Sequence, residues 1–224
     1  PGIDIEDLPV APRHGLVEYT RSAATGTMAE GVAGYGVTIP RFRIKKEDYA
    51  KAWGSFAAAG VNEKSVAGFD EDMITLATKV SRRALESVPL PPNRVTRLAF
   101  ASTSAPYTEK FLSGTIIVGL GIPNETFASD HTTSTRAGTE AMLASFEHLA
   151  ANPSGRALVA VADAPSASMW DSIEHGMGAG AVAFVLSQDE VLAELEGHAS
   201  YASEHFGERF RPREEEQIHD LSVK

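Results

Sequence analysis

What most constrains the fold of this chain is the alternation of short, uniformly apolar segments with longer amphipathic ones. "RLAFAS" (97–102), "RALVAVADA" (156–164) and "AGAVAFVLS" (179–187) show almost no polar alternation. A strand with apolar side chains on both faces must be covered on both faces. Between the first two lies "RAGTEAMLASFEHLAAN" (136–152), whose length and composition fit a helix. Upstream, "DEDMITLATKVSRRALESV" (70–88) places Met73, Ala77, Val80, Ala84 and Val88 on one helical stripe. Asp70 is placed to cap that helix, with acids in the first turn and Arg82 and Arg83 toward its end. "PLPP" (89–92) stops it, because proline lacks the N–H a helix needs.

The other elements fit the same alternation. "GVAGYGVTIP" (31–40) reads as a strand ended by Pro40, and "KKEDYAKAWG" (45–54) as a short helix closed by Gly54. "SGTIIVGLG" (113–121) reads as a short helix, with a strand as the alternative; "TFASDH" (126–131) reads as a strand. Strands interleaved with helices predict an α/β domain with helices on both sheet faces. The gap between 179–187 and a last strand at 192–201 is too short for a helical crossover, so those two are expected to pair as an antiparallel hairpin at the end of the sheet. Residues 1–29 read as an extension or surface strap, with Met28 an alternative start; 30–201 is the folded unit. Residues 202–224 are a charged tail, whose "RPREEEQIHD" (211–220) is expected to be solvated, disordered or a surface helix.

Charge and residue usage remove whole classes of function. The 224 residues carry 30 acidic and 20 basic side chains, a formal charge of −10, which disfavours nonspecific nucleic-acid binding. There is no cysteine, so disulfides, thiolate catalysis and Cys-ligated zinc are excluded within this chain. The seven histidines show no metal-ligand spacing, so no metal site is expected. No apolar run approaches a membrane span, and the first residues lack a signal-peptide pattern; a soluble, cytoplasmic protein is expected.

Four stretches are candidate sites, each with a structural alternative. In "ASDHTTSTRAGTEAML" (128–143) Thr133 or Ser134 can cap a helix, and the same turn can present a nucleophile at the positive end of the helix dipole. "FASTSAPY" (100–107) is either a ligand site at a strand's carboxyl end or an ordinary Ser-rich loop. "IPRFRIKK" (39–46) gathers Arg41, Arg43, Lys45 and Lys46, which can grip phosphates or form a solvated face. "HGMGAGAVAF" (175–184) has glycines before a strand, the wrong order for a dinucleotide fingerprint, so they read as allowing close packing. His131 is the one site-adjacent histidine, with a hydrogen-bonded structural role expected.

The order of "GYGVTIPRFRIKKEDYAKAWG", "EKSVAGFDEDMITLA", "FASTSAPY", "STRAGTEAM" and "VADAPSA" resembles archaeal-type 3-hydroxy-3-methylglutaryl-CoA synthase, in the thiolase and ketosynthase-III-like superfamily. The resemblance spans residues 30–200 and corresponds to the N-terminal half of that family's fold. It implies a thiolase-like half-domain with a mixed, mostly parallel five-stranded sheet and helices on both faces. It also implies acyl transfer from acyl-CoA to a cysteine at the start of a central helix, with a glutamate as acid/base and a histidine from the C-terminal half. The family's Ala-Cys-Lys-Ala-Gly-Thr run corresponds to residues 134–139, which puts Thr135 at the cysteine position. Its Ser-Glu-Ser-x-Pro-Tyr run corresponds to residues 102–107, which puts Thr103 at the glutamate position.

Those two substitutions change the chemistry. A helix N-terminus can draw a thiol to thiolate, but an alcohol is far less acidic and needs a positioned base, which no neighbour in sequence supplies. A hydroxyl at 103 cannot do a carboxylate's proton transfer. The resemblance therefore implies a component that handles a coenzyme A thioester, with no tightly bound cofactor, lacking the usual cysteine and glutamate. The alternatives are a cysteine-independent C–C lyase or acyltransferase completed by a partner, and an α/β domain that binds no CoA. The expected partners are a second copy, another thiolase-like subunit, or an OB-fold zinc-ribbon protein. A lone half-domain should also leave one face of the 136–152 helix uncovered, at Met142, Leu143, Phe146 and Leu149.

Overall fold

The structure is a computed structural model that describes residues 18–20, 30–89, 91–132, 134–200, 209–212, 215 and 217–220, with the side chains of 18–20, 92 and 220 excepted. Strand β1 (Glu18–Thr20) precedes β2 (Gly31–Thr38) and β3 (Phe42–Lys45). Helix α1 (Lys46–Trp53), strand β4 (Glu63–Val66) and helix α2 (Met73–Glu86) follow. Then come β5 (Val95–Ala101), α3 (Leu112–Leu120), β6 (Phe127–His131), α4 (Ala137–Ala151) and β7 (Arg156–Asp163). The remainder is α5 (Ser172–Gly176), β8 (Gly180–Ser187), β9 (Ala193–Glu194), β10 (Gly197–Ala199), β11 (Arg209–Phe210) and β12 (His219–Asp220).

The main sheet has six strands in the order β6-β5-β7-β8-β2-β9, one more than expected. β5 is parallel to β6 and β7; β8 is antiparallel to β7 and to β2, so β2, β5, β6 and β7 all run one way. The expected closing hairpin is not formed. β8 lies between β7 and β2, and β9 pairs with the far side of β2. Burial explains the difference. The inner residues of β8 are covered and need a neighbour on each side, whereas the polar, exposed β9 can only be an edge. Beyond it, β10 pairs with β1 in a separate ribbon.

One face of the sheet is packed by α2 and α3, the other by α4. The stripe on α2 is buried at Ala77, Val80, Ala84 and Val88, with Met73 half-buried. β2 reaches α2 closely because Gly34 and Gly36 face it: a Cβ at Gly36 would lie 2.6 Å from the Val80 carbonyl oxygen. The α2 cap is Asp72, not Asp70. The Thr75 N–H donates to Asp72 Oδ1 (2.7 Å) and the Asp72 N–H to Thr75 Oγ1 (2.7 Å), a reciprocal box that Asp70 is too far upstream to make. Asp72→Ala is expected to cost about 1 kcal/mol in thermal unfolding, and Asp70→Ala to lack that effect.

The uncovered apolar surface is not where the sequence alone placed it. Phe146 and Leu149 are buried against the sheet, with Met142 and Leu143 half-buried. Exposed apolar residues next to α4 are instead found on β2, where Tyr35 and Val37 stand in register with Phe184 and Val182 of β8. α4 lies over β5 and β7 and leaves that side of the sheet bare. In the 209–220 segment the described residues form a short antiparallel ribbon of β11 and β12 in place of a surface helix, and most of them are exposed. Ile218 holds it down: it packs with Ala167, Met177 and Ile173, and its N–H donates to the Ser166 carbonyl (3.2 Å).

Candidate functional site

β5 and β7 are parallel neighbours, so their carboxyl ends lie side by side, and α4 begins next to them. Such strand ends are where open α/β sheets hold ligands. A cleft of about 310 Å³ opens there, lined by Ser102 and Thr103 after β5, Asp163 at the end of β7, and Thr135 and Gly138 at the start of α4. Met142, Val161 and Phe184 give it an apolar wall. Thr103 and Thr135, far apart in sequence, thus face one cavity.

The expected Ser134 cap is not made: α4 starts from Arg136 with no side-chain cap, and Ser134 bonds within the turn before it, its Oγ accepting the Arg136 N–H (3.0 Å) and its carbonyl the Ala137 N–H (3.0 Å); Thr133 lies outside the described residues. Thr135 is exposed at the cleft, and among the described residues its hydroxyl has no hydrogen-bond partner. Among the described residues no base is hydrogen-bonded to it.

Asp163 is the residue that sequence reasoning missed. Its Oδ1 accepts from Ser102 Oγ (3.0 Å), Thr103 N (2.7 Å), Thr103 Oγ1 (3.1 Å), Ser104 N (2.9 Å) and Ser104 Oγ (2.8 Å). Ser104 Oγ also accepts the Ala164 N–H (2.9 Å), so the ends of β5 and β7 are laced together. The signal was present as a lone carboxylate ending the apolar run "LVAVAD", but only strand pairing brings it to residues 102–104. Thr103 Oγ1 points its proton at Asp163 and faces Arg209 Nη2 at 3.4 Å, while Arg211 Nη2 lies 3.4 Å from the Thr103 carbonyl oxygen.

His131 ends β6. Its carbonyl accepts the Ser102 N–H (3.0 Å) and its Nε2 lies 3.1 Å from Ser129 Oγ. Burial, then the Arg97 guanidinium, holds its imidazole below the ordinary histidine range. It does not line the cleft, and its contacts are those of a structural residue. Arg97 itself is buried, donating to Ser145 Oγ and Ser129 Oγ (both 3.1 Å) beneath the Phe127 ring.

The basic cluster sits on β3 and immediately to either side of it, and β3 pairs with β4. Arg43 is held by Glu63 and by the Phe42 carbonyl; Arg41 lies over the Phe42 ring. The hairpin joins the sheet at the end carrying the cleft: the Ala179 N–H donates to the Ser65 carbonyl, and Gly178 allows the approach, since a Cβ there would sit 2.9 Å from Ser65 Oγ. Arg41, Arg43, Lys45 and Lys46 do not line the cleft itself.

Beneath this hairpin is a buried polar latch. Lys64 is 6% exposed and pairs with Glu174, whose Oε2 accepts the Ala167 N–H (2.6 Å). Tyr49 meets His175 edge-on and lies under the Lys64 ammonium; burial, then Glu174, raises its phenol above the usual range. His175 Nδ1 accepts the Ala57 N–H (2.8 Å), which fixes the remaining proton on Nε2 of the neutral ring. Among the described residues no group of three or more His, Asp and Glu side chains could hold a metal, and no helix is long and apolar enough to cross a membrane.

No protein-family model matches the chain. It is 34% identical over 179 residues to the hydroxymethylglutaryl-CoA synthase of Pyrobaculum neutrophilum, covering 78% of this chain and 51% of that one. To the Archaeoglobus fulgidus enzyme it is 32% identical over 179 residues, covering 78% and 52%. The fold superposes on MvaS in complex with 3-hydroxy-3-methylglutaryl coenzyme A with a TM-score of 0.78 at 21% identity, over 87% of this chain and 49% of that one. An HMG-CoA synthase complexed with CoA gives a TM-score of 0.79 at 19% identity, over 88% and 51%. The chain spans about half the length of the curated relatives it matches. With a thiolase-like α/β fold and this degree of identity, it belongs with the archaeal hydroxymethylglutaryl-CoA synthases, as a homologue of their N-terminal half.

Proposed function

We propose that the chain is an acyl-CoA-handling component of a cytoplasmic complex that binds a thioester without forming a covalent acyl-enzyme. The observation that carries this reading is the single cleft lined by both Thr103 and Thr135 at the start of α4. The position is the one the family resemblance assigns to acyl transfer, yet the groups there are hydroxyls. The Thr103 proton is committed to Asp163, and among the described residues no base is hydrogen-bonded to Thr135. Arg41, Arg43, Lys45 and Lys46, at the same end of the sheet, supply the charge for CoA phosphates. The bare face of Tyr35, Val37, Val182 and Phe184 runs from the cleft wall, and supports a partner seated there: a second copy, another thiolase-like subunit or an OB-fold zinc-ribbon protein.

Titration calorimetry with acetyl-CoA and acetoacetyl-CoA, paired with intact mass spectrometry, tests it. Binding with no acyl adduct is expected. An adduct that disappears in Thr135→Ala refutes the reading, and so does absence of binding.

One observation favours an active enzyme: Asp163 places a carboxylate in the cleft. A cysteine-independent C–C lyase, completed by a partner's groups, would use it as proton acceptor. Cleavage of a 3-hydroxyacyl-CoA by the co-purified complex, lost in Asp163→Asn, would establish that activity.

A further inference from the structure

The ribbon of β11 and β12 brings two guanidinium groups to Thr103, a residue that lines the cleft. Arg209 reaches the side chain of Thr103, and Arg211 its carbonyl oxygen. Their place is set by Ile218, which is buried in its own apolar contact and bridged to Ala167, so the ribbon's register on the domain is fixed. The other cations held in ion pairs, Arg43, Lys64, Lys79 and Arg156, each face a carboxylate. Among the described residues Arg209 and Arg211 have no carboxylate partner, and the ribbon's own Glu215 is taken by His219. Asp163 is bonded to Thr103, and its contacting oxygen already takes five donors. In a chain of formal charge −10, two guanidiniums that face no carboxylate among the described residues, beside a ligand-sized cleft, are an anion-binding arrangement.

We infer that Arg209 and Arg211 set ligand specificity by binding an anionic group at the Thr103 end of the cleft. This rests on the acyl-CoA reading, which puts the thioester near Thr135 and the far end of the acyl chain near Thr103. The shared chemistry is a planar or tetrahedral anion, either a carboxylate ending the acyl chain or a phosphate of the CoA itself. The geometry favours the carboxylate, because the basic cluster after β2 is a separate place for phosphates.

The test compares glutaryl-CoA with uncharged valeryl-CoA by titration calorimetry on the full chain, and repeats the pair as N-acetylcysteamine thioesters, which carry no phosphate. A charge-assisted contact predicts about a tenfold preference for glutaryl on both carriers. In Arg209→Gln/Arg211→Gln the preference falls to about one, and Arg209→Lys/Arg211→Lys keeps part of it. Circular dichroism melting checks that the variants remain folded. Equal affinity for glutaryl and valeryl in the unsubstituted chain overturns the inference alone. So does an equal loss for both CoA esters with none for the N-acetylcysteamine pair, which puts the arginines on CoA phosphates. Failure of every CoA ester to bind overturns the acyl-CoA reading with it.

Discussion

Asp163→Ala is expected to destabilise the chain by about 2–4 kcal/mol, because it strips the acceptor from two backbone N–H groups and three hydroxyls at once. Each donor left buried costs on the order of 1–3 kcal/mol, but Asp163 is half-buried at the cleft, and water takes over part of the role. The loss should be largest locally. With the lacing gone, the 102–104 turn is free to leave the strand end, so acyl-CoA binding should fall further than global stability. Asp163→Asn keeps the shape and one acceptor oxygen and is expected to cost about 1 kcal/mol. Urea unfolding midpoints read with ligand titration separate the two effects. An alanine variant as stable as the unsubstituted chain would show that the five bonds hold nothing.

Lys64→Met is expected to cost about 3–5 kcal/mol, as removing one partner strands a carboxylate in a buried site. Glu174 is 14% exposed and keeps only the Ala167 N–H as donor among the described contacts. Solvent screens little at such exposure, unlike at the Lys79–Glu71 contact, where the lysine is 51% exposed. The methionine still fills the space over the Tyr49 ring, so the effect reports the charge and not a cavity. Lys64→Met/Glu174→Gln should recover most of the loss, since both desolvated charges are gone and the amide oxygen still accepts from Ala167. Denaturant unfolding of the four-member cycle measures the coupling. If the single and double variants unfold alike, the latch is not an energetic unit.

The latch ties β4, and with it the basic cluster, to the 164–177 segment that follows Asp163. Nothing in the sequence pairs Lys64 with Glu174. The two are 110 residues apart, and each alone reads as a surface charge.

The sequence by itself settled the elements that local physics controls. The stripe on α2, the mostly apolar β5, β7 and β8, and Gly54 closing α1 were legible because helix period, strand burial and left-handed caps are properties of neighbouring residues. The motif order likewise pointed to the family whose relatives the chain then matched. Tertiary structure alone decided which strands became neighbours. β8 went between β7 and β2, and β9 moved to the edge, because pairing partners are chosen by burial across the whole sheet and not by loop length. It also decided that Asp163 laces the cleft, that Phe146 and Leu149 turn inward, and that a charged C-terminal segment brings Arg209 and Arg211 to Thr103. Hydrogen bonds and charges act over a few ångströms, so groups distant in sequence acquire a shared chemistry only once the chain has folded.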